Sequence, residues 1–271
     1  MVISTVHSEV TSVGGLQTAT KLVLVVEYNG TRYHGSQLQA GLPTIQGEME
    51  KALEKLTAEK IRVMTASRTD SGVHARGQVV SFRTASPLPP QTFIKGLNYY
   101  LPGDIAVKAA HRVPDAFNVR RHAVSREYHY HILNSRTRSP LREGFAYRLA
   151  GNLDIEVMNQ ACQALIGEHD FASFTSGLGV ESKSTVRRVQ RAEMSREGEL
   201  AVFNIVANAF LHHQVRNTIG ALIRVGLGKM NCDQFYSIMD MKKLGLAGPM
   251  APAGGLCLTR VSYPHPFKEE K

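Results

Sequence analysis

The chain runs twice through one order of elements, strand-helix-strand-strand-helix-strand, and that order restricts the folds open to it. LVLVVEY (22–28) reads as a strand, closed by the turn residues Asn29 and Gly30. Thr44 is placed to cap a helix whose apolar face carries Ile45, Met49, Ala52, Leu53 and Leu56. IRVMT (61–65) and GQVVSFR (77–83) are strands on either side of the loop ASRTDSGVHAR. Pro89-Pro90 introduces a second helix with Phe93, Ile94, Leu97 and Leu101, and DIAVKAAHRV (104–113) is the next strand. This is the order of the ferredoxin-like split unit.

The second half repeats the order without repeating the sequence. AVSREYHYHIL (123–133) alternates as a strand, and Asp154 caps a helix bearing Ile155, Met158, Cys162 and Leu165. TVRRVQRAEM (185–194) and ELAVFNIVA (199–207) form a hairpin around Glu197-Gly198. A helix from Gln214 to Gly226, a shorter helix and the strand GLCLTRV (255–261) end the series. Pro114-Asp115 interrupts the pattern, which divides the chain into a loose tail (1–20), two α/β domains (21–113 and 114–264) and a short C-terminal tail (265–271). Two such units lie most naturally side by side with a cleft between them.

Charge points to the occupant of that cleft. With 32 Lys+Arg against 23 Asp+Glu the net charge is +9, which favours a polyanionic partner. The three cysteines, Cys162, Cys232 and Cys257, are widely spaced and form no CxxC pair, so no disulfide framework or zinc knuckle is indicated. The N-terminus lacks the basic start and apolar run of a signal peptide, and no stretch approaches about 18 consecutive apolar residues. A reducing cytosol is the expected address, with no membrane partner.

Absent motifs narrow the chemistry. The chain has no GxxxxGK[ST], no GxGxxG after a strand and no HExxH, and GLGK (226–229) lacks the spacing of a phosphate loop. His129 and His131 share one face of a strand, as two metal ligands could, but no third ligand stands at a fixed spacing. Surface or core-satisfied histidines are the simpler reading, as for His212-His213. Asp70 is less easily set aside. An Asp before Ser-Gly is commonly a turn former, and Arg68 or Arg76 could neutralise it as an ordinary ion pair. Its whole surroundings say more.

The stretch SRTDSGVHARGQVVSF resembles the signature of the tRNA pseudouridine synthase A family, whose common form reads GRTDAGVHA. TIQGEMEKALEKL (44–56) is similar to that family's first helix, SREYHYHIL (125–133) to its REYxYxI strand, and HDFASF (169–174) to its HDFxSF segment. FLHHQVRNTIGALIRVGLGK (210–229) and APAGGLCL (251–258) resemble its last two motifs, so the likeness covers nearly the whole chain. It implies two ferredoxin-like α/β halves forming one continuous, mainly antiparallel sheet with a central basic cleft. It also implies a homodimer, without metal or organic cofactor, acting on uridines at positions 38 to 40 of the tRNA anticodon stem-loop.

By the same resemblance, Asp70 matches the family's catalytic carboxylate and Arg216 the arginine that pairs with it. Tyr128 matches the tyrosine that packs on the target base and is a proposed proton acceptor. Arg68 matches an arginine that helps hold the nucleotide out of its stack. A cation opening a helix is slightly unfavourable, and that misfit also suits Arg216 to a specific partner. Arg120, Arg121, Arg126, Arg187, Arg188 and Arg191 are candidates for a phosphate track. The chain departs from the common pattern at Ser67 and Ser71, where Gly and Ala are usual, and at Gln214, where Met is usual. The alternative reading is a non-catalytic RNA-binding protein of two ferredoxin-like units, although the RNP1 string is missing and Asp70 would then repel phosphate without benefit.

Overall fold

The computed structural model describes residues 19–176 and 184–267. The expected N-terminal tail lies outside the described residues except for its last two positions, and so do residues 268–271 of the C-terminal one.

Alternation in the first strand sets the layers. β1 (Thr20–Tyr28) turns Leu22, Leu24, Val26 and Tyr28 into the core. α1 (Ile45–Thr57) starts where Thr44 Oγ1 accepts the Gly47 N–H at 3.1 Å, and it buries Ile45, Met49, Ala52 and Leu53. β2 (Met64–Thr65) and β3 (His74–Thr84) follow, then α2 (Pro90–Tyr100), whose opening proline forfeits no hydrogen bond, and β4 (Ile105–Val113). Phe93 of α2 meets Phe82 of β3 at 5.6 Å between ring centres. In the sheet the strands lie in the order β4, β1, β3, β2, all antiparallel. That is the ferredoxin-like arrangement.

The second half rebuilds it with additions. β5 (Ser125–Asn134) and β6 (Tyr147–Leu149) precede α3 (Ile155–Gln163), where Asp154 accepts the N–H groups of Glu156 and Val157. β7 (Gly167–Asp170), β8 (Val186–Glu197) and β9 (Leu200–Ala207) lead to α4 (Gln214–Gly226), α5 (Cys232–Met241) and β10 (Leu256–Ser262). The strand order is β10, β5, β9, β8, with β7 on the outer side of β8. One large, mostly antiparallel sheet results, in a mixed α/β fold. Among the described residues no helix is long and apolar enough to cross a membrane.

Three details depart from the pattern in the sequence. Only Met64 and Thr65 of the strand expected over 61–65 join the ladder, because α1 takes the bonds of the residue before them. Glu50 accepts the Val63 N–H at 3.0 Å, and Gln46 Nε2 donates to Val63 O at 3.3 Å. β6 and β7 were not anticipated. Both are short, and GEHD carries neither alternation nor β-branched residues.

The two halves meet along a single edge of β3. β10 runs parallel to its start, pairing Cys257 with His74 and Leu258 with Ala75, while β2 takes its far end, pairing Thr65 with Val80. Gly77 lies where these neighbours converge: a Cβ there would stand 2.4 Å from Thr259 O. The loop from Ala66 to Val73 therefore crosses the opening between the halves.

His74 fastens the junction. Its Nδ1 accepts the Gly30 N–H at 3.1 Å, which leaves the proton on Nε2, facing Gly144 O at 2.7 Å and Gly254 O at 3.1 Å. Burial lowers its pKa from the ordinary 6.5, against the pull of those two carbonyls, and burial lowers that of His131 also. Such groups take up protons on unfolding, so their contribution is complete above pH ~6.5 and is lost as the pH falls below it. Urea midpoints should accordingly drop between about pH 7.5 and pH 5.5. His74→Gln should lower the midpoint at the upper pH and flatten part of the drop; an identical slope in the variant would remove His74 from this account.

Candidate active site

Asp70 is presented by a loop whose backbone is pinned on both sides. The Gln78 side chain, fully buried on β3, accepts the Ser67 N–H at 3.2 Å and donates to Ser67 O at 2.8 Å. Thr69 donates its N–H to Ser36 Oγ at 2.9 Å, and its carbonyl accepts the Ser36 N–H at 3.0 Å. The hydroxyls of Thr69 and Tyr28 lie 2.8 Å apart. Beyond Asp70 the chain closes a turn in which Val73 N–H reaches Asp70 O at 3.1 Å. Gly72, with φ +78°, supplies the backbone conformation that such a turn requires. With its backbone fixed, the carboxylate has only side-chain rotation left.

That rotation is limited by the other half of the molecule. Arg216 Nη1 donates to Asp70 Oδ2 at 3.1 Å across 146 residues of sequence. The guanidinium is itself held: its Nε donates to Ala251 O at 2.9 Å, and the Ala251 N–H returns to Arg216 O at 3.0 Å. Arg216 is the third residue of α4, where the helix dipole disfavours a cation and favours an anion. Asp70 offsets the first effect and gains from the second. Arg68 is exposed, and among the described residues Asp70 is paired with Arg216 and His213 instead.

His213 Nε2 stands 3.5 Å from the same Oδ2. The residue has φ +61°, stacks on His212 at 3.6 Å between ring centres, and has its Nδ1 2.8 Å from Ser176 Oγ. Burial lowers its pKa, Asp70 opposes that, and His212 and Arg216 add to it, so the ring is neutral near pH 7. Asp70, His212 and His213 form the one three-ligand group among the described residues, with ligand atoms within 4.8 Å of one another. The Nδ1 atoms of both rings lie against Ser176 Oγ, at 3.1 Å for His212 and 2.8 Å for His213. His129 and His131 are on the strand face away from Tyr128, and His129 faces Glu127 at 3.3 Å.

Tyr128 occupies the middle of β5 between Leu258 of β10 and Ile205 of β9. Its ring is 5% exposed and meets the edge of Phe210 at 5.2 Å. Its hydroxyl lies 2.9 Å from Ser67 Oγ. Burial pushes the phenol pKa well up, so the group stays protonated in neutral solution.

Asp70, Arg68, Tyr128 and Arg216 all line one cleft of about 580 Å³, so the four residues singled out in the sequence come together. Apart from Asp70 its charged side chains are arginines. These arginines, and the others expected to track phosphate, serve different ends. Arg126 is 8% exposed and spends its guanidinium on the carbonyls of Ala123, Asn208 and Arg120, so it shapes the wall and is not free for a phosphate. Arg191 pairs with Glu127 at 2.8 Å. Arg120, Arg121 and Arg188 are exposed.

Sequence reasoning passed over Gln78, although a signal was there: it is a polar side chain on the inward stripe that also carries Val80 and Phe82. Gln214 is fully buried; its Oε1 accepts the Leu211 N–H at 2.8 Å, while its Nε2 has no partner among the described residues. Replacing Gln78 with Leu would strand two backbone groups of Ser67 and should cost about 2–4 kcal/mol of unfolding free energy, read from urea denaturation. A loss under about 1 kcal/mol would mean that water replaces the amide.

Comparison with known proteins adds the family. A model described as tRNA pseudouridine synthase matches residues 24–120 and 161–264, which include Asp70 and Arg216; Tyr128 falls between the two segments. The chain is 39% identical over 251 residues to tRNA pseudouridine synthase A of Shewanella sediminis, covering 93% of this chain and 96% of the relative. It is 41% identical over 242 residues to the protein of that name in Francisella tularensis subsp. mediasiatica, covering 89% and 93%. The Legionella pneumophila protein of that name is 42% identical over 247 residues, covering 91% and 94%. By the extent of these matches, the chain belongs to the tRNA pseudouridine synthase family.

Proposed function

We propose that this chain isomerises uridine to pseudouridine in tRNA, at positions 38 to 40 of the anticodon stem-loop, with Asp70 as the essential carboxylate. The observation that carries the reading is a single acid, held by a fixed guanidinium at the centre of an arginine-lined cleft. The reaction breaks the N1–C1′ bond, rotates the uracil and rejoins it through C5. No electron or phosphoryl group is transferred, so the chemistry calls for no cofactor. It does call for an ionised group beside the sugar and base, to act as nucleophile or to stabilise charge.

Each neighbour has a task in this reading. Arg216 donates to Asp70 Oδ2 and fixes its direction. A uridine must leave its stack to reach the carboxylate, at a cost of a few kcal/mol. Packing against the Tyr128 ring returns about 1–3 kcal/mol. Arg68, exposed at the cleft, helps to hold the target nucleotide out of its stack. The exposed arginines contact phosphate, which adds affinity without sequence preference. We read the chain further as two domains divided near residue 114, working as a cytoplasmic homodimer. A purely binding protein would gain nothing from an acid at the middle of its phosphate site, and the relatives are named as synthases.

Two variants test the roles. Asp70→Ala should release no tritium from tRNA made with 5-tritiated uridine, while binding tRNA within about threefold of wild type, since each phosphate contact is kept. Binding without release by either protein would favour the non-catalytic reading. Arg216→Lys, which loses the planar fork, should lower kcat by about tenfold or more with little change in KM. Full activity in that variant would count against a specific partner for Asp70.

A further inference from the structure

Pseudouridine formation requires a proton to leave carbon, which Asp70 and Arg216, paired with each other, do not provide for. After C5 has bonded to C1′ it still carries its hydrogen, and that proton must leave before the uracil ring is restored. The Tyr128 hydroxyl borders the cleft near Asp70, but it is buried and protonated, with no free charge to accept with. A neutral phenol takes a proton only if it gives up its own in the same event. The recipient must be hydrogen-bonded to it and must itself have access to water.

Ser67 meets both conditions. Its Oγ lies 2.9 Å from Tyr128 Oη, and the residue is half-buried at the cleft, where solvent reaches it. Both of its backbone groups are clamped by Gln78, so its position does not drift and only the hydroxyl turns. Tyr28, a buried tyrosine that also touches the loop, offers no comparable exit, because its hydroxyl is enclosed between Thr69 and the Gln78 amide. His213 is a competing acceptor by proximity, but its Nε2 faces the Asp70 carboxylate and its Nδ1 faces Ser176.

On the function proposed above, we propose that Ser67 is the outlet for the C5 proton: Tyr128 Oη takes it from carbon while passing its own to Ser67 Oγ, which releases one to water. The C5–H bond breaks and its electron pair forms the C5=C6 double bond. The pair of the C6=N1 double bond moves to N1, which takes up a proton from solvent. One proton is lost and one gained, so the product is an isomer of the substrate. Ser67 acts through Tyr128 and does not touch the base.

The test is single-turnover kinetics on tRNA carrying either ordinary or 5-deuterated uridine, with wild type, Ser67→Ala, Tyr128→Phe and the double variant. Ser67→Ala should slow turnover about tenfold or more and show a larger deuterium isotope effect than wild type, because departure of the proton becomes limiting. In the Tyr128→Phe background the serine replacement should add no further loss, since the two hydroxyls act as one unit. A wild-type rate in Ser67→Ala overturns the relay. So does a slow variant with an unchanged isotope effect, which would make the hydroxyl a packing group. Losses that multiply in the double variant, or an unimpaired Tyr128→Phe, also overturn it, the latter directing attention to His213. If wild type itself turns over neither substrate, the isomerase reading fails and the relay falls with it.

Discussion

Everything at the site depends on one ion pair that neither half of the molecule could make alone. Asp70 comes from the loop before β3 and Arg216 from the first turn of α4, and they meet only because β10 lies against β3. A carboxylate in a cleft of arginines would otherwise turn to whichever cation was nearest. Here the backbone of the acid is pinned by Gln78 and Ser36, and the guanidinium is pinned by Ala251. The pair is partly exposed, so its contribution to folding is small. Its consequence is directional: the acid is aimed into the cleft.

The regular elements were largely legible in the sequence. Thr44 and Asp154 cap the helices they precede, and α4 has the ends its apolar spacing suggested. Short pieces were not legible, because two to four paired residues carry no periodicity, and because Val63 gives its bonds to side chains of α1. The ferredoxin-like order appeared without any family resemblance, since it follows from element sequence alone.

The site was legible to a different degree. Asp70 alone would pass for a turn residue, and it is one: its carbonyl closes the turn at Val73. Its second role depends on a partner 146 residues away, which no local pattern encodes. Arg126 misled for the opposite reason. From sequence it is one arginine among several in a basic chain, whereas its burial and its carbonyl partners are properties of the folded wall. Gln78 shows what local pattern can offer, because an amide within an inward-facing apolar stripe implies a backbone in need of bonding.

The placement of β10 governs when the cleft can exist. This strand is the last regular element, and it is also the one that lies between β3 and β5 at the centre of the sheet. During synthesis the first unit can pair β4, β1 and β3 early, yet the edge of β3 beside His74 stays unpaired until residues 256–262 have emerged. The loop bearing Asp70 therefore waits, without its wall, until β10 pairs with β3. Until β10 is in place the chain carries the acid and the exposed arginines with no fixed geometry between them, and its arrival at the centre of the sheet turns a basic surface into a shaped cleft.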